Sequence, residues 1–161
     1  MRLTRIVPKR LFGTSVFTIV GKRVIPRFDL ALQQVTRGRF SLTSAAGLPF
    51  LLLETTGRRT GRLRVTPLTY AIQGDCILVA GSNWGQSQQP GWALNLVAKP
   101  DAAVSLRGTR IPVTARVLEG AERAEVWPLL LAVWPAYDDY VERVQATSGR
   151  EIMVFRLERG S

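Results

Sequence analysis

Between Gly57 and Gly61 the chain places Arg58, Arg59 and Thr60, and Arg62 and Arg64 follow at alternating positions. These residue types at this spacing suit the gripping of an anion. Glycine frees the backbone to turn tightly and present successive N–H groups, while guanidinium is a planar, permanently charged fork matched to phosphate oxygens. Each such charge-assisted bond contributes about 1.5–3 kcal/mol. Taken alone, the segment reads first as a solvated basic hairpin and second as an anion-binding turn.

What the sequence lacks narrows its chemistry. None of the 161 residues is histidine, and Cys76 is the single cysteine. Ser-His-Asp and Cys-His nucleophiles, histidine-ligated metals, intramolecular disulfides and cysteine zinc clusters are thereby excluded, and no metal is expected. An enzyme of this composition takes its chemistry from a bound cofactor. Cys76 opens the apolar run Cys76-Ile77-Leu78-Val79-Ala80 and reads as a core thiol.

Charge is spread unevenly: of the net +10, residues 1–50 carry +8, residues 51–75 carry +2, and residues 76–161 balance nine of each sign. A basic front favours an anionic partner, whether a membrane surface, a nucleic acid or a polyanionic small molecule. Nucleic acid is not expected, since the basic residues lack regularly interleaved aromatics and no nucleic-acid motif is recognisable.

The elements that must position these residues follow from pattern. With 46% hydrophobic and 21% charged residues, the chain suits one folded domain. Basic residues before the apolar run Leu11 to Val20 imitate a secretory signal. Gly-Lys-Arg follows in place of a small-residue cleavage site, and Gly13, Thr14, Ser15 and Thr18 interrupt the run, which is also too short to span a bilayer. The reading is a cytoplasmic protein with a basic segment at 1–40, containing a short helix over 29–35, ahead of a domain at 41–161. That segment lies either on the inner face of the plasma membrane as a peripheral contact or against its own domain.

Strands are expected at 50–55, 64–72, 76–80, 102–106, 110–118 and 151–158, with hairpin turns at Gln73-Gly74-Asp75 and Arg107-Gly108-Thr109. Pro90 opens a helix with an apolar stripe of Trp92, Leu96 and Val97, and two more helices span 120–134 and 136–145. About six strands joined mostly as antiparallel hairpins, with flanking helices, give a mainly β, α+β fold, a small and partly open barrel. The strand-helix alternation of a dinucleotide-binding sheet is missing, as are G-x-G-x-x-G and the P-loop lysine.

The run Leu51-Leu52-Leu53-Glu54-Thr55-Thr56-Gly57-Arg58-Arg59-Thr60-Gly61, with Arg64-Val65-Thr66-Pro67-Leu68 after it, resembles the deazaflavin-dependent nitroreductase family. Ser82 to Leu96 and Trp127 to Tyr140 match in order and spacing, and the likeness runs from about residue 40 to the C terminus. The resemblance implies a split antiparallel β-barrel and coenzyme F-420 as cofactor, with FMN the lesser expectation. It implies that Arg58, Arg59, Thr60, Gly61 and Arg64 hold the phosphate and oligoglutamate tail, and that Pro67 and Leu68 line the deazaflavin ring. Ala80, Ser82, Trp92 and Asn95 would surround the ring and its ribityl chain.

For acceptor binding and proton supply the candidates are Ser82, Trp134, Tyr137 and Tyr140, the two tyrosines sharing one helical face; aromatics at that spacing read first as core, and the resemblance reverses this for Tyr137. The expected activity is hydride transfer from the reduced deazaflavin to a quinone, a nitroaromatic or another conjugated acceptor. Two positions depart from the quinone- and nitro-reducing branch, where tyrosine is expected in place of Thr69 and of Trp134. The alternatives are a basic module for anionic lipid or nucleic acid, and the same fold holding FMN, haem or a lipid. No oligomeric state is implied.

Overall fold

The computed structural model describes residues 47–160; the helix expected at 29–35 and the basic segment 1–40 lie outside them. In β1 (Phe50–Thr56) Leu51, Leu53 and Thr55 are buried and the residues between them half-buried, the period-2 pattern of a strand with a core face. It pairs antiparallel with β2 (Leu63–Thr69) through a full ladder from Phe50–Thr69 to Thr56–Leu63. A one-residue step at Tyr70 leads to β3 (Ala71–Gln73), which turns through Gly74-Asp75 into β4 (Cys76–Ala80). Gly74 takes φ +59, the left-handed conformation such a two-residue turn requires.

After α1 (Gly91–Ala98) come β5 (Asp101–Leu106) and β6 (Thr109–Leu118), joined by Arg107-Gly108, both with positive φ. Then follow α2 (Gly120–Val133), α3 (Tyr137–Ser148) and β7 (Val154–Arg159). The sheet order is β2-β1-β5-β6-β7-β4-β3, antiparallel at every pairing. β2 and β3 are sequence neighbours yet sit on opposite edges, so the sheet must curl until its edges meet at Tyr70. The result is the expected antiparallel half-barrel.

The described residues form seven strands where about six were expected, because the apolar stretch 64–72 changes partner at Tyr70, from β1 to β4. Two other expectations are corrected. Val97 is 55% exposed, as it lies about 140° around the helix from Trp92, whereas Ala93 takes its place against the sheet. Cys76 is only half-buried, since it sits beside the hairpin at the mouth of β4.

Both faces of β4 are covered. Leu78 and Ala80 join Tyr137, Tyr140, Trp134, Val126 and Leu130 in one apolar cluster under α2 and α3. Ile77 and Val79 join Leu51, Leu53, Trp92, Leu96, Phe155 and Leu157 in a second cluster with α1. This accounts for the unbroken apolar run of that strand. Within the second region Thr55 and Asn95 are the buried polar residues among those described, and they satisfy each other: Asn95 Nδ2 donates to Thr55 Oγ1 at 3.1 Å. Asn95→Ala would leave both Thr55 and the Arg58 amide without their partner. The expected loss is about 1–3 kcal/mol in a urea titration, and an unchanged midpoint would refute the bracing role.

Candidate functional site

The six-residue connection from Gly57 to Arg62 is folded tightly upon Gly57. The Gly57 amide donates to Arg62 O (2.8 Å), Gly61 to Gly57 O (2.7 Å) and Thr60 to Gly57 O (3.2 Å). Arg62 N donates to Thr60 Oγ1 at 3.3 Å, and Arg58 N to Asn95 Oδ1 at 3.1 Å. A Cβ at position 57 would come 2.9 Å from Thr60 Oγ1 and 3.1 Å from Arg62 O, so only glycine lets the turn close this far. Gly61 has φ +67.

The expectation that the turn would offer successive free amides is therefore corrected: five of the six amides are already bonded inside the protein. Capacity for an anion rests on side chains. Arg58, Arg59, Arg62 and Arg64 are exposed, and among the described residues none of them forms an ion pair. Unneutralised guanidiniums on a braced turn fit a polyanionic ligand, phosphate or carboxylate tail alike.

The opposite end of β2 has different chemistry. Thr69 Oγ1 and Tyr137 Oη are 2.9 Å apart, in hydrogen-bond contact between β2 and the first turn of α3. Tyr137 is 4% exposed, and burial pushes its phenol up to about 12, partly opposed by the Thr69 hydrogen bond. Tyr140, 1% exposed and edge-on to Tyr137 at 6.3 Å, is also pushed up by burial. The Trp134 indole works against that rise, yet the Tyr140 hydroxyl finds no partner in hydrogen-bonding geometry.

Beside these tyrosines runs the connection after β4. Ser82 precedes a short 3-10 turn, Asn83–Gly85, in which Asn83 (φ 47) and Trp84 (φ 58) adopt left-handed conformations. Such backbone costs about 1–3 kcal/mol per residue and persists only where surrounding contacts enforce it. Gly85 presses so closely on α3 that a Cβ there would lie 3.1 Å from Tyr140 Cδ1 and 3.3 Å from its Cα. Trp84 meets Trp134 edge-on, with centroids 6.3 Å apart.

Of the residues singled out in the sequence, the structure makes three groups. Arg58, Arg59, Thr60, Gly61 and Arg64 share one end of β2 with Asn95, whose side chain braces the turn. Thr69, Tyr137, Tyr140, Trp134 and Ala80 gather at the other end, with the Ser82 connection seated on α3. Trp92 is buried against Phe155 at 5.5 Å in the second cluster, and Leu68 packs there too; Pro67 sits on β2 opposite Leu52.

Two contributors went unread in the sequence. Trp84 had a signal, an aromatic inside a stretch too polar for a core. Arg150 had none: its guanidinium donates to the carbonyls of Ser82 (2.7 Å), Gln86 (2.8 Å) and Gly81 (3.3 Å), contacts that no periodicity announces.

A half-barrel with exposed arginines at one end of an edge strand and buried phenols at the other defines the class to which known proteins can be compared. The family model described as F420H(2)-dependent quinone reductase matches residues 26–158. An F420H(2)-dependent quinone reductase of Mycobacterium tuberculosis (strain ATCC 25618 / H37Rv) is 35% identical over 113 residues, 69% of this chain and 75% of that one. A solved F420-H2 dependent reductase superposes with a TM-score of 0.60 at 33% identity, over 68% of this chain and 94% of its own. A second solved structure, described as a domain-swapped dimer, gives 0.63 at 29% identity over 82% and 99%.

The chain belongs to the F420H(2)-dependent quinone reductase family. It is an oxidoreductase whose cofactor is coenzyme F-420 and whose reaction is the reduction of quinones.

The Tyr137 phenol gives a stability signature that needs no cofactor. Below pH 10 it is protonated in both folded and unfolded chains and adds no slope. Between pH 10 and about 12 the unfolded chain ionises while the folded one keeps its proton, so stability falls as pH rises. The loss across that window is about 2–3 kcal/mol. Urea unfolding at stepped alkaline pH should give a shallower decline for Tyr137→Phe than for wild type; identical slopes would contradict the raised value.

Proposed function

We propose that hydride passes from reduced F-420 to a quinone at the Thr69–Tyr137 end of β2, while the arginines of the Gly57 turn hold the phosphate and oligoglutamate tail. One observation supports this above the rest: exposed arginines with no carboxylate partner among the described residues and a part-buried hydroxyl pair stand at the two ends of the same strand. Six residues of extended chain separate Leu63 from Thr69, roughly 20 Å at the usual strand rise. A ligand that served both ends would be long, with a charged tail and a compact reactive head.

When bound, the deazaflavin would supply the hydride; the chain's own residues bind and orient the reactants and stabilise the anion formed, and water supplies the proton that completes the hydroquinone. Arg58, Arg59, Arg62 and Arg64 bind the tail, with Asn95 holding Arg58 in place. Ala80, Ser82, Pro67 and Leu68 are assigned to the ring and its ribityl chain. Trp92 and Asn95 act from behind, as packing and brace.

Hydride addition to a quinone leaves negative charge on an oxygen. With its phenol at about 12, Tyr137 is too weak an acid to give up a proton readily near neutral pH. Its role is hydrogen-bond donation from Oη to the developing oxyanion, with Thr69 Oγ1 supporting the hydroxyl from its other side. Ser82 and Tyr140 are the remaining hydroxyls assigned to acceptor binding, and the buried Tyr140 hydroxyl is the less able of the two. Trp134 offers no acidic proton and shapes the acceptor space with Trp84.

Peripheral attachment of residues 1–40 to anionic membrane at its cytoplasmic face, and their separation from a unit at 41–161, complete the reading. The +8 charge and interleaved apolar residues of the N-terminal stretch support it. Among the described residues no helix is long and apolar enough to cross a membrane. Co-sedimentation with anionic vesicles, lost on deletion of residues 1–40, tests both.

For the cofactor site the measurement is fluorescence titration of F-420, with FMN in parallel. Arg59→Ala and Arg64→Ala should each raise the Kd by about 10- to 100-fold with an unchanged melting temperature, as expected for exposed charge-assisted bonds. Wild-type affinity in both variants would remove the turn from the site. Tyr137→Phe should lower kcat with a quinone by about 100- to 1000-fold while leaving F-420 binding near wild type. Equal turnover would reduce Tyr137 to packing.

A further inference from the structure

We infer that Arg150 is a positioning residue for this reaction, holding the connection from Gly81 to Gln89 in the strained shape that sets Trp84 against Trp134 and Gly85 against Tyr140 of α3. The inference rests on the hydride-transfer reading of that site. Arg150 follows Gly149, the left-handed cap that ends α3 at φ 66. From there its side chain reaches across to a segment more than sixty residues earlier in the chain.

The guanidinium lies inside that connection as its centre. Nη2 donates to Ser82 O at 2.7 Å and Nε to Gln86 O at 2.8 Å; Nη1 reaches Gln89 Oε1 at 3.1 Å and Gly81 O at 3.3 Å, with a longer approach to Glu151 O at 3.5 Å. Among the described residues no carboxylate pairs with it. Its charge is spent on backbone and amide dipoles, and burial lowers its affinity for its own proton.

An arrangement of this kind needs an arginine. Carbonyls at 81, 82 and 86 converge from different directions, and only a planar cation with five fixed donors meets them together. Remove it and two features lose their enforcement: the left-handed pair Asn83 and Trp84, and the close seat of Gly85 on Tyr140. The Gly85 and Gln86 amides, bonded to Ser82 O (3.0 Å) and Asn83 O (3.1 Å), would open with them. Trp84 would then drift from Trp134, and Gly85 from Tyr140. The tail-binding turn stands on separate bonds, through Asn95 and Thr55.

Arg123 supplies a control. It donates to Ile152 O and pairs with Glu151, on the same stretch of backbone, without touching the 81–89 connection.

The test compares Arg150→Gln, Arg150→Lys and Arg123→Gln, first without cofactor by hydrogen exchange. Both Arg150 variants should accelerate exchange at the Gly85 and Gln86 amides about tenfold or more, with β5 and β7 amides unchanged, the pattern of local rather than global opening. Arg123→Gln should leave Gly85 and Gln86 as in wild type. With reduced F-420 and a quinone, at a temperature where all variants are folded, kcat should fall about tenfold or more in both Arg150 variants. The Kd for F-420 should stay within about threefold of wild type, because the turn still holds the tail. Unchanged exchange at Gly85 and Gln86, a uniform rise at every amide, or wild-type kcat in the lysine variant would each overturn the inference. If wild type itself fails to oxidise reduced F-420 with quinone, the hydride-transfer reading falls, and the exchange result still decides whether Arg150 holds the connection.

Discussion

The architecture depends on one geometric constraint, that strands separated only by Tyr70 occupy opposite edges of a seven-stranded sheet. A flat sheet would hold those edges several strand widths apart, at about 4.8 Å for each neighbour. The sheet therefore curls, and Thr69, the last residue of one edge, is carried over to the helices that cover the other. The Thr69–Tyr137 hydrogen bond is a product of that closure. So is the burial of both faces of β4, which supplies the inner wall of one cluster and the outer wall of the other.

The two ends of β2 then differ in dielectric environment as well as position. At the Gly57 turn the guanidiniums are in water, where their attraction for an anion is screened by salt and exerted through direct contact. At Tyr137 the surroundings are apolar, and a single hydroxyl has a large effect because little solvent competes with it. Each end has its own brace, Asn95 for the turn and Arg150 for the connection over α3. Neither brace places a charge opposite a charge; both work by satisfying backbone groups that would otherwise hold a less defined shape.

Much of this was legible from the sequence, for identifiable reasons. The hairpins at Gly74-Asp75 and Arg107-Gly108 announced themselves because positive φ leaves a compositional trace. The short apolar run Phe50 to Leu53 announced β1, and the three-residue spacing of Tyr137 and Tyr140 put them on one helical face. Tyr70 was not legible as a boundary, since a strand that exchanges one partner for another keeps its β-forming composition throughout. Nor could the sequence tell that the Gly57 turn consumes its own amides, because glycine permits a tight turn without saying which donors close it. Arg150 was hidden for a third reason: the destination of a long polar side chain is set by tertiary proximity alone.

In the proposed reading, the distance between the two ends of β2 separates affinity from selectivity. On that reading, a substitution among the aromatic residues near α3 would alter which oxidant is accepted while leaving the Gly57 turn intact, since that turn is braced through Thr55 and Asn95. Thr69 and Trp134, where the family resemblance implies tyrosines, both lie at the end of β2 that meets the helices. A lineage built on this fold can diversify its substrates by drift at one end, under no obligation to reinvent its source of reducing power.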